Sequence, residues 1–165
     1  MRGFRAVLVE RVDLGQGTTG RFHGLLHSGG RYVTSDPQSA TECAEENAVL
    51  RRIASEAVED TGGLFVTTPA DDPDYADPFL AGCHATGVPV QEISPAQALA
   101  REPRINPGIT RAFEVQDAAV DAWKLLWGNA RSAREHGARI LTYHWVTEVL
   151  RDGDRVVGVV ARDDR

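Results

Sequence analysis

Gly15, Gly17 and Gly20 spell G-x-G-x-x-G behind an apolar run that ends in Glu10. Such a run cradles a pyrophosphate only where it opens a helix, whose first N–H groups then face the anion. This one is not expected to open a helix. Gly24, Gly29 and Gly30 follow, and each glycine costs a helix interior about 1 kcal/mol. The acid that should stand about 20 residues on would be Asp36, but Pro37 follows it and the pair reads as a helix start. Reversing the roles fits better. Val7-Leu8-Val9-Glu10 reads as the second strand of a dinucleotide-binding unit, with Glu10 at its tip as the ribose acid. A solvated strand-end acid is the alternative. On this reading the matching glycine turn would lie upstream of Met1, and the chain is expected to lack its first βα unit.

His23 and His27 are four apart, but residue 24 is glycine, so H-E-x-x-H fails. His84, His136 and His144 are scattered and read as structural. No metal site is expected. Cys43 and Cys83 form no C-x-x-C pair and read as two reduced thiols of a cytosolic protein. Arg51 and Arg52 are expected on a solvated helix face. Trp123, Trp127 and Trp145 read as core or interface.

The elements that must position these residues alternate. Residues 5–10 read as a strand, and 11–35 as a glycine-rich loop. Asp36-Pro37 starts a helix to about Glu59, with Ala40, Cys43, Asn47, Leu50, Ala54 and Ala57 on its inner face. The polar Asn47 in that stripe needs a partner. Strands are expected at 64–68, 88–93 and 110–116, and helices at 72–86 and from Ser94-Pro95 to near Pro103. Asp121 caps a helix to His136 that buries Leu126, Ala130 and Ala133, and Gly137 ends it. Strands at 138–143 and 145–150 follow, then a hairpin turn at Asp152-Gly153-Asp154 and a strand at 156–161. Residues 5–10 and about 119–165 are expected to pack together in one sheet with its hairpin; a first strand paired with 64–68 and distant from 138–143 would refute this.

With 165 residues the chain fits about one domain. Hydrophobic residues make up 42% and charged residues 25%, a balance that argues against disorder. Net charge is −6, which excludes a protein built on phosphate contacts to duplex nucleic acid. No apolar run approaches a membrane span, and the first ten residues lack a secretory signal.

Val9-Glu10-Arg11 and the string from Gly17-Thr18-Thr19-Gly20-Arg21 through His23-Gly24-Leu25-Leu26-His27-Ser28-Gly29-Gly30-Arg31-Tyr32 resemble FAD-dependent glycerol-3-phosphate dehydrogenases. The resemblance is to the large catalytic subunit of the anaerobic, quinone-linked type, in the D-amino-acid-oxidase-like superfamily. It continues through Asn47, Gly63-Leu64-Phe65-Val66, Glu102-Pro103, Asn106-Pro107, Asp121 and 135–142. Against that pattern the chain looks like an internal fragment: the glycine fingerprint and the second half of the family's chain are absent. Tyr143-His144-Trp145 is an unusual aromatic stretch.

The resemblance implies FAD as cofactor. Glu10 would take the ribose hydroxyls, with Arg11 beside it. Thr18, Thr19 and Gly20 would approach the diphosphate or ribityl chain. Gly24, Leu25 and Leu26 would run along the isoalloxazine, and Val146 would present its backbone to adenine. His27, Arg31 and Tyr32 stand on the substrate side. A histidine suits the base that takes the hydroxyl proton, and an arginine suits either a phosphate or the oxygen that develops charge; which residue takes which role is open at this point. Arg31 is expected as an unpaired, buried guanidinium that waits for an anionic substrate.

The implied reaction is oxidation of sn-glycerol 3-phosphate to dihydroxyacetone phosphate, with electrons passed to an electron-transfer subunit or to quinone. A 2-hydroxy-acid dehydrogenase of L-2-hydroxyglutarate type and a remnant that binds no flavin are the alternatives. A cytoplasmic location is expected, with peripheral attachment to the inner face of the membrane through other parts. The fold expected is α/β: a partial FAD-binding, Rossmann-like domain with an inserted α+β substrate-side layer. The division is 1–60 for the FAD-binding part, 61–118 for the cap, and 119–165 for the return, ending in a β-hairpin.

Overall fold

The computed structural model describes residues 3–165. In chain order its strands and helices are β1 (Val7–Val9), β2 (Leu25–Leu26), α1 (Pro37–Ile53), β3 (Val58–Glu59), β4 (Gly63–Thr67), α2 (Ala76–Thr86) and β5 (Val90–Ile93). Then come α3 (Pro95–Arg101), β6 (Arg111–Val115), β7 (Ala118–Val120), α4 (Ala122–Glu135), β8 (Arg139–Leu141), β9 (His144–Asp152) and β10 (Arg155–Asp163). They form two compact units, residues 3–23 with 121–165, and residues 24–120.

In the first unit β1 pairs in parallel with β8, Val7 opposite Arg139 and Val9 opposite Leu141, as expected. Parallel pairing needs a crossover. Asp121 starts α4, the helix before β8, by accepting from the N–H groups of Trp123 (2.9 Å) and Lys124 (3.0 Å). Gly137, with φ +84°, ends it. Ala130 is buried, and Leu126 and Ala133 half-buried, on its inner face. β9 and β10 form a long antiparallel hairpin turned at Gly153, φ +58°.

The second unit is built on two antiparallel sheets of three strands, ordered β4-β6-β5 and β2-β7-β3. Central β6 is buried on both faces. Phe113 and Val115 join Val33, Ala40, Ala76, Phe79, Cys83 and Val88 in one cluster, where the Phe79 ring lies 4.8 Å from Phe65 and 5.3 Å from Phe113. Ala112 faces the other way, onto Ile93, Ala98 and Ile109. Arg111 ties the sheet edge to α2 through Glu92 (2.7 and 3.0 Å) and Asp77 (2.6 Å).

The expected helix to Glu59 stops earlier, at Ile53. Val58 and Glu59 instead pair with Val120 and Ala119 of β7, so strand pairing overrides helix propensity there. The helix expected from Asp72 begins at Ala76. Asp71 and Asp72 spend their carboxylates on local turns, accepting from Thr68 N (2.7 Å) and Asp74 N (2.9 Å). The compact units also divide the chain elsewhere than at 60/61. α1 packs on α2 and on the short 3₁₀ turn Gly30–Tyr32, so it belongs with residues 24–120.

That packing rests on Gly29. Its φ is +101°, and a Cβ there would come within 2.4 Å of the Ala40 carbonyl oxygen and 3.1 Å of Val88 Cγ2. Backbone of α1 cannot yield as a flexible side chain would. Gly29→Ala is expected to cost at least about 2 kcal/mol. Urea unfolding checks it, and a loss under about 0.5 kcal/mol, the scale of an ordinary surface change, would contradict this packing.

Candidate active site

The first unit carries the residues expected to meet the cofactor's adenosine and diphosphate. β1 delivers Glu10 to the carboxyl end of a parallel strand, where α/β sheets bind ligands. The Glu10 backbone is held on both sides: its N–H donates to Leu141 O (2.9 Å) and its carbonyl accepts from His144 N (2.8 Å). Oε1 accepts from Val12 N at 3.0 Å, and no hydrogen bond reaches Oε2 among the described residues. Arg11 lies over the Trp145 ring at 4.1 Å, and Arg162 over the same ring at 5.0 Å. The aromatic stretch before Val146 is thus the root of the hairpin. Val146 follows it, exposed, opposite Ala161.

Gly15–Gly20 opens no α-helix. It turns into a single 3₁₀ turn, Thr18–Arg21, which agrees with rejecting it as a fingerprint. Gly15 lies so close to Trp123 that a Cβ would come within 2.7 Å of the ring, and a Cβ on Gly20 would meet the Gly15 carbonyl oxygen at 2.3 Å. The loop is therefore folded on itself beside α4. Thr18, Thr19 and Gly20 remain exposed, and nothing lies within 4 Å of a Cβ placed on Gly17. A free carboxylate oxygen at a strand tip and small exposed residues with hydroxyls fit the ribose and phosphate parts of a dinucleotide.

The second unit carries the other candidates. Gly24 has φ +77° with open space around it, and its carbonyl accepts from Val120 N (2.8 Å). Leu25 and Leu26 form β2, opposite Ala119 and Ala118. The chain then enters the loop of His27, Ser28, Arg31 and Tyr32. His27 Nδ1 lies 3.5 Å from Asp117 Oδ2, with the two side chains 25% and 15% exposed. Asp117 Oδ1 accepts from Ser28 N (2.6 Å) and Ser28 Oγ (2.7 Å). Gly63 makes room for this carboxylate, since a Cβ there would come within 2.9 Å of Asp117 Cβ.

Helix α1 holds both ends of the pair. Asn47, buried, donates to His27 O (3.1 Å) and Gln116 O (3.3 Å), which supplies the partner its place in an apolar stripe demanded. Arg51 donates to Asn47 Oδ1 (2.6 Å) and Gln116 O (2.8 Å) and forms an ion pair with Asp60. It is therefore not the solvated residue expected from the sequence, because backbone carbonyls of the 116–117 turn face it. Asn47→Ala strips a donor from two carbonyls and an acceptor from Arg51. It is expected to lower stability by about 1–3 kcal/mol; a urea midpoint unchanged from the parent would contradict the clamp.

Arg31 is exposed, not buried as expected, and forms no ion pair or hydrogen bond with the described residues. Its 3₁₀ turn follows left-handed Gly29 and lifts the side chain off the core. The Tyr32 ring instead packs against the main cluster. Burial pushes the thiols of Cys43 and Cys83 above their ordinary range, so neither is an activated nucleophile. Both are free. Among the described residues no cluster of His, Cys, Asp or Glu could hold a metal, and no helix is long and apolar enough to cross a membrane.

Asp117 is the residue that sequence reasoning missed. It sits between two short strands and meets its partners 89 positions away. No local pattern marks it.

The family model for FAD dependent oxidoreductases matches residues 1–165. The chain is 54% identical over 159 residues to one subunit of the anaerobic glycerol-3-phosphate dehydrogenase of Haloferax volcanii, a match spanning 96% of this chain and 27% of that protein. It is 47% identical over 163 residues to one subunit of the anaerobic glycerol-3-phosphate dehydrogenase of Escherichia coli K12, spanning 99% of this chain and 30% of that one. The chain thus spans less than a third of the length of these relatives. In structure it is similar to L-proline dehydrogenase from P. horikoshii, with a TM-score of 0.82 at 21% identity over 97% of this chain and 43% of that one. With the family match running from end to end, and a parallel strand pair that ends in an acid, the chain belongs to the FAD dependent oxidoreductase family.

Proposed function

We propose that these residues are the part of an FAD-linked sn-glycerol 3-phosphate dehydrogenase that holds the adenosine end of the flavin and supplies the substrate-side base and phosphate anchor. The observation that carries the reading is the 27–32 loop. It sets a histidine against a carboxylate at one end and exposes, at the other, a guanidinium without a partner among the described residues. Identity of about half to two anaerobic glycerol-3-phosphate dehydrogenases supports the choice of substrate.

Oxidising a secondary alcohol to a ketone removes a proton from oxygen and a hydride from carbon. Bound FAD would supply the hydride acceptor. His27 takes the hydroxyl proton. Arg31 pairs with the phosphate, its fork matching two phosphate oxygens. Glu10 accepts from the ribose hydroxyls through the oxygen that Val12 leaves open, and Thr18, Thr19 and Gly20 contact the diphosphate. Gly24, Leu25 and Leu26 would line the ring system, and Val146 would present its backbone to adenine. Tyr32 lends its hydroxyl to the substrate side while its ring packs on the core. The electrons would go on to quinone or to an electron-transfer subunit, with the enzyme held peripherally on the inner face of the membrane.

The test is product formation by a chain of the relatives' length that carries these residues. Dihydroxyacetone phosphate should appear from glycerol 3-phosphate with an artificial electron acceptor. A chain that oxidises L-2-hydroxyglutarate faster, or that purifies without flavin, would overturn the proposal.

A further inference from the structure

The Asp117 carboxylate is fixed before any ligand arrives. Two donors of Ser28 occupy Oδ1, the 116–117 turn is held by Arg51, and the side chain lies against Gly63, where a Cβ would come within 2.9 Å of Asp117 Cβ. Only Oδ2 is left for His27, whose Nδ1 lies 3.5 Å away. Asn47 holds the His27 carbonyl at the same time, so both partners are fixed from one helix. A carboxylate accepts and cannot donate. Facing Nδ1, it favours the tautomer with the proton on Nδ1 and the lone pair on Nε2.

We propose that Asp117 is the positioning residue of this site. It sets the tautomer and ring orientation of His27, so that Nε2 is the nitrogen that takes the substrate's hydroxyl proton, and it stabilises the imidazolium then formed. The inference rests on the reading of His27 as the base. Ser28 completes the device: its hydroxyl and N–H hold the oxygen that does not face the ring.

The experiment compares Asp117→Asn with Asp117→Ala in a chain of the relatives' length, following kcat, KM for glycerol 3-phosphate, flavin content and melting temperature. Asparagine keeps the shape and can still accept from Ser28, but it turns an N–H toward Nδ1 and imposes the wrong tautomer. Asp117→Asn should lower kcat by about 100-fold or more and be no faster than Asp117→Ala, although it melts higher. KM and flavin content should stay close to the parent values. In a His27→Gln background, Asp117→Asn should lower kcat no further.

A purely structural role predicts the opposite order, with asparagine both more stable and faster than alanine. That order overturns the proposal, as does Asp117→Asn within about threefold of the parent, far short of the loss expected for a wrong tautomer. So does a full additional loss in the His27→Gln background. Should the alanine variant fail to fold, the isosteric asparagine and the double variant still decide it. Parent-level kcat in His27→Gln alone would instead refute the base reading, which separates the two failures.

Discussion

Arg31→Ala, in a chain of the relatives' length, is expected to lower kcat/KM for glycerol 3-phosphate by about 10- to 150-fold, equivalent to about 1.5–3 kcal/mol for the charged hydrogen bonds to the phosphate that are lost. The guanidinium is exposed and without a partner among the described residues. Removing it therefore breaks no hydrogen bond or ion pair among the described residues, and stability and flavin content should change little. Arg31→Lys should recover part of the loss, since a point charge replaces a fork that fits two phosphate oxygens. A substrate lacking the phosphate should show little difference between parent and variant. Full turnover in Arg31→Ala, or loss of its flavin, would show that Arg31 does not anchor substrate.

His27→Gln is expected to lower kcat by about 10²- to 10⁴-fold, the usual worth of a positioned general base. KM should change little, because the contribution is made in the transition state and not in binding. The side chain is three-quarters covered and lies against Asp117. Some loss of stability is therefore expected too, and flavin content must be measured alongside the rate. A variant that keeps its flavin and turns over at the parent rate would remove His27 from the chemistry.

Most of the regular structure could be read from the sequence where a local signal exists. Asp36 before Pro37, Ser94 before Pro95 and Asp121 each cap a helix, and Gly87 and Gly137 end theirs with positive φ. The hairpin at Gly153 and the pairing of the first strand with 139–141 follow from turn chemistry and from the order of the elements. Short strands made only by partners far along the chain left no such trace. Val58–Glu59 carried a helical pattern and became a strand because β7 paired with it. Leu25–Leu26 lay hidden in a glycine-rich loop for the same reason.

The site divides along the same line. Glu10 was legible as an acid at the tip of an apolar strand, and the loop of His27 and Arg31 through its resemblance to a family. The burial expected for Arg31 was wrong, because a 3₁₀ turn after Gly29 exposes it. Arg51 resembled any helix-surface arginine until the 116–117 turn came to face it. Asp117 acquires its role only when β6 and β7 bring it beside His27, a contact that spacing cannot reveal.

Anaerobic mixing of the flavin-loaded enzyme with glycerol 3-phosphate, followed by the visible flavin band, decides whether this alcohol is the substrate. Glycerol 3-phosphate should bleach the band in a single turnover, more slowly when the hydrogen on its central carbon is deuterium. L-2-hydroxyglutarate and glycerol should leave it unbleached over the same time. A band bleached by L-2-hydroxyglutarate and not by glycerol 3-phosphate would contradict the account.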